Sequence, residues 1–352
     1  MTEFLFKELM LHEFLRNSVQ KKKIKKKTSL MAVQAFESSH DDLIHDVSYD
    51  FYGKRLATCS SDQRVKVWEY SQENSCWEPV DTWKAHEGSV LKVSWAHPEF
   101  GQVIATCSFD RTVRIWEEQE HESRNSGKRW TEKAVLREST GSVQDVEFAP
   151  NYMGLKFATC AADGMLRIYE ALEVNNLAQW TLMEEISITT NTAGKESDGH
   201  YCLSWCPSRS TTPMIVIGCG KENCAKIFRQ DSTNRWQAFE ILEGHTNTVY
   251  DVSWAPSMGR AYHLIATASK DHNVRIFKLV DNKKDGFDII LAPELSDHSV
   301  EVWKVEWNVT GTILSSSGDD GRVRLWKCLL QSGEWKCMST IYYDRQPESM
   351  EM

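Results

Sequence analysis

Six copies of one short phrase divide most of this 352-residue chain into repeats. In each copy an acidic residue is followed, six positions later, by an aromatic residue. The residues between them form a polar turn and then an alternating strand, so each phrase predicts a β-hairpin. The six pairs are Asp62/Trp68, Asp110/Trp116, Asp163/Tyr169, Glu222/Phe228, Asp271/Phe277 and Asp320/Trp326. A long period of this kind is typical of solenoids and propellers.

The repeats measure 48, 53, 59, 49 and 49 residues from acid to acid, slightly more than the roughly 40 to 45 residues usual for WD repeats. In each repeat one apolar strand precedes the hairpin, a second apolar strand forms the first arm of the hairpin, and a polar, variable strand follows the hairpin. Four strands per repeat make one propeller blade, so we predict an all-β, WD-type propeller of six blades. We expect the variable fourth strand to face solvent and a near-continuous apolar inner strand to line the centre of the ring.

The first 37 residues differ in composition from the repeats. A short amphipathic stretch is followed by the basic run Lys21–Lys27, which is typical of a solvated tail or of an address for the nucleus or an anionic membrane. We expect residues 1–37 to be a disordered extension or a gene-model artefact upstream of Met31. Mass spectrometry of the native amino terminus tests the second possibility, and detection of peptides from residues 1–20 would reject the artefact hypothesis. The predicted blades are 38–84, 85–137, 138–188, 198–242, 243–292 and 296–343, with a flexible tail at 344–352.

Histidines also recur, 22 to 26 residues before the acid in four of the repeats. An active site is needed once, so a repeated set of histidine, acid, hydroxyl and aromatic predicts a structural hydrogen-bond network and no catalytic residues. Blade three has Ser139 and Thr140 in place of the histidine, and blade four has Glu222 and Phe228, so we expect weaker networks there. The candidate network residues are His40, Ser60, Asp62, Trp68, His86, Ser108, Asp110, Trp116, Asp163, His245, Ser269, Asp271, His298, Asp320 and Trp326.

Composition and motifs exclude several functional classes. A formal net charge of -9 disfavours direct binding to nucleic acid, and no apolar run approaches the roughly 20 residues of a membrane span. The ten cysteines contain no CxxC pair and no companion His/Cys cluster, which predicts reduced, buried thiols and no metal site. Phosphate-binding, HExxH and GxSxG motifs are absent from the sequence, so we predict neither cofactor nor enzymatic activity.

The first and the last blade can each be built without a strand from the opposite end of the repeat region. Propellers usually protect their edges by building one blade from both termini. Here residues 334–343 supply an outer strand to the last blade, residues 76–83 supply one to the first, and 32–36 is the only candidate for a closing strand. We therefore predict an open ring that a partner completes in trans by supplying strands. The candidate interface residues are Leu43, Ile44, Val47, Tyr49, Trp335, Met338 and Ile341.

Longer stretches carry a family resemblance. They are residues 40–47 (HDDLIHDV), 95–101 (WAHPEFG), 149–155 (APNYMGL), 163–171 (DGMLRIYEA), 204–209 (SWCPSR) and 307–321 (WNVTGTILSSSGDDG). Through these the chain resembles the Seh-type WD-repeat nucleoporins over residues 39 to about 340. Sec-thirteen-type vesicle-coat proteins are similar at 40–42, but the stretches at 163–171 and 307–312 favour the Seh type. Nothing carries over to residues 1–30.

The resemblance implies a structural role in the outer-ring, Y-shaped subcomplex of the nuclear pore at the nuclear envelope. It implies a blade donated by an α-solenoid nucleoporin, and other Y-complex nucleoporins as neighbours. It also implies a second assembly on the vacuolar or lysosomal membrane surface, beside propeller-solenoid subunits of the complex that regulates TOR signalling. The alternatives are a vesicle-coat subunit and a stand-alone propeller that binds peptides in its central channel.

Overall fold

The computed structural model describes residues 36–174, 176–189, 199–209, 211–282, 286–329 and 333–342. Within them the chain forms six four-stranded antiparallel sheets, each made of four consecutive strands. The first strands of all six sheets line one central channel, so the prediction of a six-bladed, all-β propeller is confirmed. The predicted extension up to residue 35, most of the candidate closing strand and the tail lie outside the described residues.

Every strand pairs with the next one along the chain. Blades one to three contain β1 (Ile44–Tyr49), β2 (Arg55–Ser60), β3 (Arg64–Ser71), β4 (Cys76–Lys84), β5 (Val90–Trp95), β6 (Val103–Ser108), β7 (Val113–Glu118), β8 (Trp130–Leu136), β9 (Val143–Phe148), β10 (Lys156–Ala161), β11 (Met165–Ala171) and β12 (Trp180–Ser187). Blades four to six contain β13 (Tyr201–Trp205), β14 (Met214–Cys219), β15 (Cys224–Gln230), β16 (Trp236–Leu242), β17 (Val249–Trp254), β18 (Tyr262–Ser269), β19 (Val274–Asp281), β20 (Phe287–Leu291), β21 (Val302–Trp307), β22 (Ile313–Gly318), β23 (Arg322–Cys328) and β24 (Trp335–Tyr342). Short 3-10 turns occupy Pro98–Phe100 and Asn151–Met153.

The innermost strand is not the continuous apolar strand that we predicted. The strands around the channel carry charged side chains, whereas the second strand of each blade is almost wholly buried, as in β6. The second strand is flanked by strands on both edges and by blades on both faces, so it needs apolar side chains throughout. The first strand borders the channel with one edge and can present charges to it.

A register irregularity recurs in the innermost strands of five blades. In blade one it falls between Ile44 and Asp46, where β1 has one residue more than its partner β2. Such a bulge re-aims a side chain and increases the local twist. The extra residues are His45, Leu91, Gln144, Tyr250 and Trp303. Blade four pairs β13 with β14 without a register shift.

Five of the junctions between blades are packed in the same way. Each has an apolar core with side chains from both neighbouring blades. On the other side of blade one, the described residues form a cluster from blade one alone, in which Phe36 packs on Trp68 and Trp77 with ring centroids 5.0 and 6.5 Å apart. We call this set the blade-one cluster: Ile44, Val47, Leu56, Trp68 and Trp77, with Phe36 and Tyr49 at its margin. The junction between blades six and one therefore lacks a shared apolar core within the described part of the chain.

Candidate functional site

The recurring histidine binds the recurring aspartate, as in blade two. The carboxylate of Asp110 can only accept, so the His86 Nδ1–H donates to it, at 3.0 Å. The other ring nitrogen, Nε2, lies 2.7 Å from the Thr106 hydroxyl, and Trp116 Nε1–H donates to the same hydroxyl at 3.0 Å. Each buried polar atom in the line is thereby bonded. In blade one the same contacts join His40, Asp62, Thr58 and Trp68.

The hydroxyl that joins histidine to tryptophan is not the predicted one. We predicted the serines at the hairpin, but the hydroxyls of Ser60, Ser108 and Ser269 accept the amide N–H of Asp62, Asp110 and Asp271, each at 3.1 Å. The serines therefore stabilise the turn. The joining hydroxyl stands two residues earlier, on the same face of the strand, so alternation alone could not distinguish the two positions.

Blade five keeps the histidine and aspartate but not the indole. His245 Nδ1–H donates to Asp271 at 2.8 Å, and its Nε2 lies 2.7 Å from the Thr267 hydroxyl. The aromatic residue is Phe277, which has no N–H to offer Thr267. Burial alone would raise the pKa of Asp271, but hydrogen bonds from His245 and from the amides of Thr246 and Asn273 hold that pKa at about 2.

In blade six an arginine enters the network. The guanidinium of Arg324 donates to His298 Nδ1 and to Asp320, both at 2.6 Å, while the direct separation of His298 and Asp320 is 3.5 Å. Because Nδ1 accepts here, Nε2–H is the donor to the Ser316 hydroxyl at 2.7 Å, so the tautomer is opposite to that in blade two. Trp326 Nε1–H donates to Ser316 at 2.8 Å.

Blade three also uses an arginine. Asp163 accepts hydrogen bonds from Arg167 at 2.9 and 3.2 Å, and the same guanidinium donates to Ser139 at 3.1 Å. The hydroxyl and amide of Thr140 complete the shell of Asp163 at 3.2 and 3.0 Å. An ion pair has thus replaced the missing histidine.

Blade four keeps only an ion pair at this place. Glu222 lies 2.6 Å from Lys226 Nζ, which also donates to the carbonyl of Ile188 at 2.9 Å. Phe228 is buried and offers no polar group. Blades three and four therefore depart from the common network.

Burial governs protonation in the common network. It lowers the pKa of His40 and His86, and the partial compensation by Asp62 and Asp110 does not cancel this effect. Both imidazoles are therefore neutral at neutral pH, in keeping with a donor nitrogen toward the carboxylate and an acceptor nitrogen toward the threonine. The arrangement stabilises a blade and leaves no ring nitrogen open to a substrate.

A line of alternating charges runs around the channel. Lys92 Nζ lies 3.4 Å from Asp145 and 4.0 Å from Asp46, and Lys304 Nζ lies 3.6 Å from Asp46 and 3.5 Å from Asp251. We call these five residues the channel ion chain. The channel encloses a cavity of about 210 Å³. The channel ion chain has one residue in each of blades three, two, one, six and five. It therefore crosses the junction between blades six and one, which has no shared apolar core in the described residues.

The aspartates of the channel ion chain also join blades through the main chain. Asp46 accepts the amide N–H of Val93 at 3.3 Å, across the junction between blades one and two. Asp145 and Asp251 make the same contact with the next blade at 3.0 Å each. Blade four contributes no charge to the chain; the thiol of Cys202 instead packs against Gly218 there.

The predicted interface residues of blade one divide between core and surface. Ile44 and Val47 are buried in the blade-one cluster and Tyr49 is half-buried at its margin. Leu43 is 48% exposed and directly precedes β1. In the isolated chain, Leu43 alone of these four offers a largely exposed apolar side chain.

The predicted residues of β24 also differ from one another. Trp335 packs inward, with its ring 5.5 Å from that of Trp307 in the core between blades five and six. Met338 is 61% exposed. Ile341 is half-buried and pairs with Val323 across β23 and β24. Met338 is therefore the side chain of β24 best placed to meet a partner.

Within the ranges given above, no group of three or more His, Cys, Asp or Glu side chains is arranged to hold a metal ion. All ten cysteines are free, and seven of them are buried. None of the described helices has the length and apolar character needed to cross a membrane.

Comparison with known proteins identifies close relatives. The pattern of the family "WD domain, G-beta repeat" matches residues 32–69, 77–117, 236–278 and 291–327. The unmatched stretch 118–235 contains blade three and the first three strands of blade four, the two blades that lack the histidine. Nucleoporin seh1 of Schizosaccharomyces pombe is 42% identical over 341 residues, covering 91% of this chain and 99% of its own length. Nucleoporin SEH1 of Saccharomyces cerevisiae is 41% identical (88% and 99% covered), and that of Homo sapiens 44% (90% and 90%).

Proposed function

The chain belongs to the SEH1 family of nucleoporins, and from this we propose that it is a structural subunit of the nuclear pore complex. We place it in the outer-ring, Y-shaped subcomplex beside other nucleoporins, where it acts as a scaffold that supports transport of protein and mRNA. The proposed site of action is the nuclear envelope. A scaffold role agrees with a network that repeats around the ring, because such a network stabilises blades and performs no single reaction.

We further propose that an α-solenoid nucleoporin completes the ring in trans. The observation that supports this is the one-sided blade-one cluster, which has no counterpart from blade six in the described residues. Trp68 and Trp77 are the largest side chains of this cluster, and its members within the described residues come from blade one, with Phe36 at the margin. A donated set of strands would bury the cluster's margin and pair with a free sheet edge, as in other cases of strand addition.

A pair of methionine substitutions tests this proposal. Met338→Asp puts a charge on the outer strand of blade six, and we expect it to abolish co-purification of the solenoid partner from native extract. Met183→Asp is the matched control, because Met183 is 50% exposed on β12, the outer strand of blade three. Equal recovery of the partner with both variants would contradict the proposed docking edge.

The same purification identifies the assembly. Recovery of nuclear-pore solenoids supports the proposal, whereas recovery of vesicle-coat subunits in their place overturns it in favour of the Sec-thirteen-type alternative. We also propose membership of the vacuolar, TOR-regulating complex. One copy has one incomplete junction and can accept one donated blade, so the two assemblies should exclude each other. A single complex in which one copy of the chain contacts both donors would disprove that exclusion.

A further inference from the structure

An aromatic stack joins the innermost strands of blades five and six. The rings of Tyr250 and Trp303 are parallel to within 10°, with centroids 4.2 Å apart. Each is the extra residue of the bulge in its innermost strand, so the backbone itself turns these side chains aside from the regular alternation. Blades one to three have His45, Leu91 and Gln144 at this position, and therefore the stack is specific to one junction.

Two carboxylates fix the stack. Trp303 Nε1–H donates to Asp319 at 2.9 Å, and the Tyr250 hydroxyl donates to Glu301 at 2.9 Å. Lys270 lies 3.4 Å from Glu301 and holds that carboxylate in turn. The two rings are thus oriented before any ligand arrives, which reduces the entropy that a ligand must lose on binding.

The indole of Trp303 is unusually accessible. The chain has fourteen tryptophans, all of them among the described residues, and Trp303 is the most exposed at 37%. Tyr250 covers one face of the ring and Asp319 takes its N–H, so the surface left to a ligand is the other face and the ring edge. Exposed, well-oriented tryptophans are among the residues that contribute most to protein interfaces.

The charges around the stack select a cationic ligand. Asp319 is exposed, whereas Glu301 is partly buried and countered by Lys270 at 3.4 Å, so Asp319 supplies the main negative charge beside the indole. A cation over the face of an indole is also attracted by the ring quadrupole. A guanidinium suits the site better than an ammonium, because it is planar, stacks on the ring and can pair with a carboxylate at the same time.

We propose that Tyr250, Trp303, Asp319 and Glu301 form a binding site for an arginine side chain presented by a segment of a partner protein. The site lies on the junction between blades five and six, which has its own apolar core. It is distinct from the incomplete junction between blades six and one. The inference therefore does not depend on blade donation.

A blocked, fluorescently labelled hexa-arginine peptide tests the site by fluorescence anisotropy on the full chain. We expect saturable binding that Trp303→Ala weakens by about twofold to thirtyfold, the range that a cation–π contact contributes. Phe109→Ala is the control, because Phe109 is 66% exposed on a hairpin turn of blade two and should bind the peptide like the wild type. Hexalysine of equal charge should bind at least about fivefold more weakly than hexa-arginine.

Two further readouts make the outcome decisive. In ¹⁵N-labelled protein, hexa-arginine should shift the indole N–H signal of Trp303, which is assigned by its loss in Trp303→Phe. Asp319→Asn leaves the indole in place and should still weaken binding about threefold, which serves if Trp303→Ala fails to fold. Equal affinity for hexalysine, an unmoved Trp303 signal, or wild-type affinity of Trp303→Ala would each overturn the proposal. Co-purification of the blade donor should survive Trp303→Ala, so the two proposals fail separately.

Discussion

Lys304 of blade six reaches Asp46 of blade one, with 3.6 Å between Nζ and Oδ1. This ion pair crosses the junction at which the described residues form no shared apolar core. At the other five junctions apolar packing already joins the blades. The ion pair therefore joins blades six and one at the channel, where the described residues supply no shared apolar core, and the blade donation proposed above would take place farther from the channel.

Replacing Lys304 should loosen this junction. Lys304→Met leaves Asp46 and Asp251 with one cation fewer, and we expect a loss of about 1 to 2 kcal/mol in unfolding free energy. Hydrogen exchange should rise in β1 and β21. Lys92→Met is the control: it removes the other lysine of the channel ion chain, but between blades that share apolar cores. Faster exchange of β1 and β21 in both variants alike would show that the junction is not specially dependent on Lys304.

Loss of the threonine hydroxyl should lower the unfolding free energy only in blades where that hydroxyl is hydrogen-bonded. Thr106→Val removes the hydroxyl shared by His86 and Trp116, and leaving these buried groups unpaired should cost about 1 to 3 kcal/mol. Thr159 occupies the corresponding position of blade three, is also fully buried, and its hydroxyl has no hydrogen-bond partner in the described structure. Thr159→Val should therefore be neutral or stabilising. Urea unfolding of both variants measures the difference, and equal losses would contradict the assignment.

Asp271 should make stability depend on pH in acid. Its pKa falls from 3.8 to about 2 on folding, so the unfolded chain binds a proton more readily than the folded one. This contribution, about 2 kcal/mol, is fully present above pH 4 and is lost as the pH falls through the folded value. Asp271→Asn should lower the unfolding free energy at pH 6. Urea titrations at a series of pH values should also show that this free energy falls less steeply in acid than in the wild type. Asp288→Asn, on the exposed side of β20, should keep the wild-type slope.

Matching arginines in blades two and three should differ in importance. Arg167→Met leaves the nearly buried carboxylate of Asp163 without its main partner, and we expect a loss of about 3 kcal/mol. Arg114 stands at the same position of blade two, but Asp110 is already bonded by His86 and Arg114 approaches it only to 3.9 Å. Arg114→Met should cost less than about 1 kcal/mol. Chemical denaturation compares the two, and equal costs would mean that the histidine is not the decisive partner.

The blades could be predicted from sequence because their signals are local. The acid and aromatic residue of each hairpin stand six apart, and the turn and strand between them need no distant contact to be recognised. The contiguous outer strands followed from the same reasoning, and the sheets have that order.

The identity of the residues that form the hydrogen-bond network could not be predicted in full, because it depends on contacts across strands and blades. Thr58 and Ser60 share a face of β2, and only their distance from the turn decides which one meets His40. Arg324 could not be anticipated either, since its insertion beside His298 depends on a side-chain reach that spacing does not encode. The channel charges were missed because Asp46 and Lys304 are 258 positions apart in the chain and become neighbours only when six sheets form a circle.

Because each blade is built from one unbroken stretch of chain, synthesis and folding can keep pace. All four strands of blade one have been translated once Lys84 has emerged from the ribosome, and none of them waits for a strand from the other terminus. A propeller whose first blade needs the last residues must hold an unpaired edge open throughout translation, with the risk of association that such an edge carries. Under the blade donation proposed above, a shortage of the partner would leave six folded blades and one incomplete junction, between blades six and one.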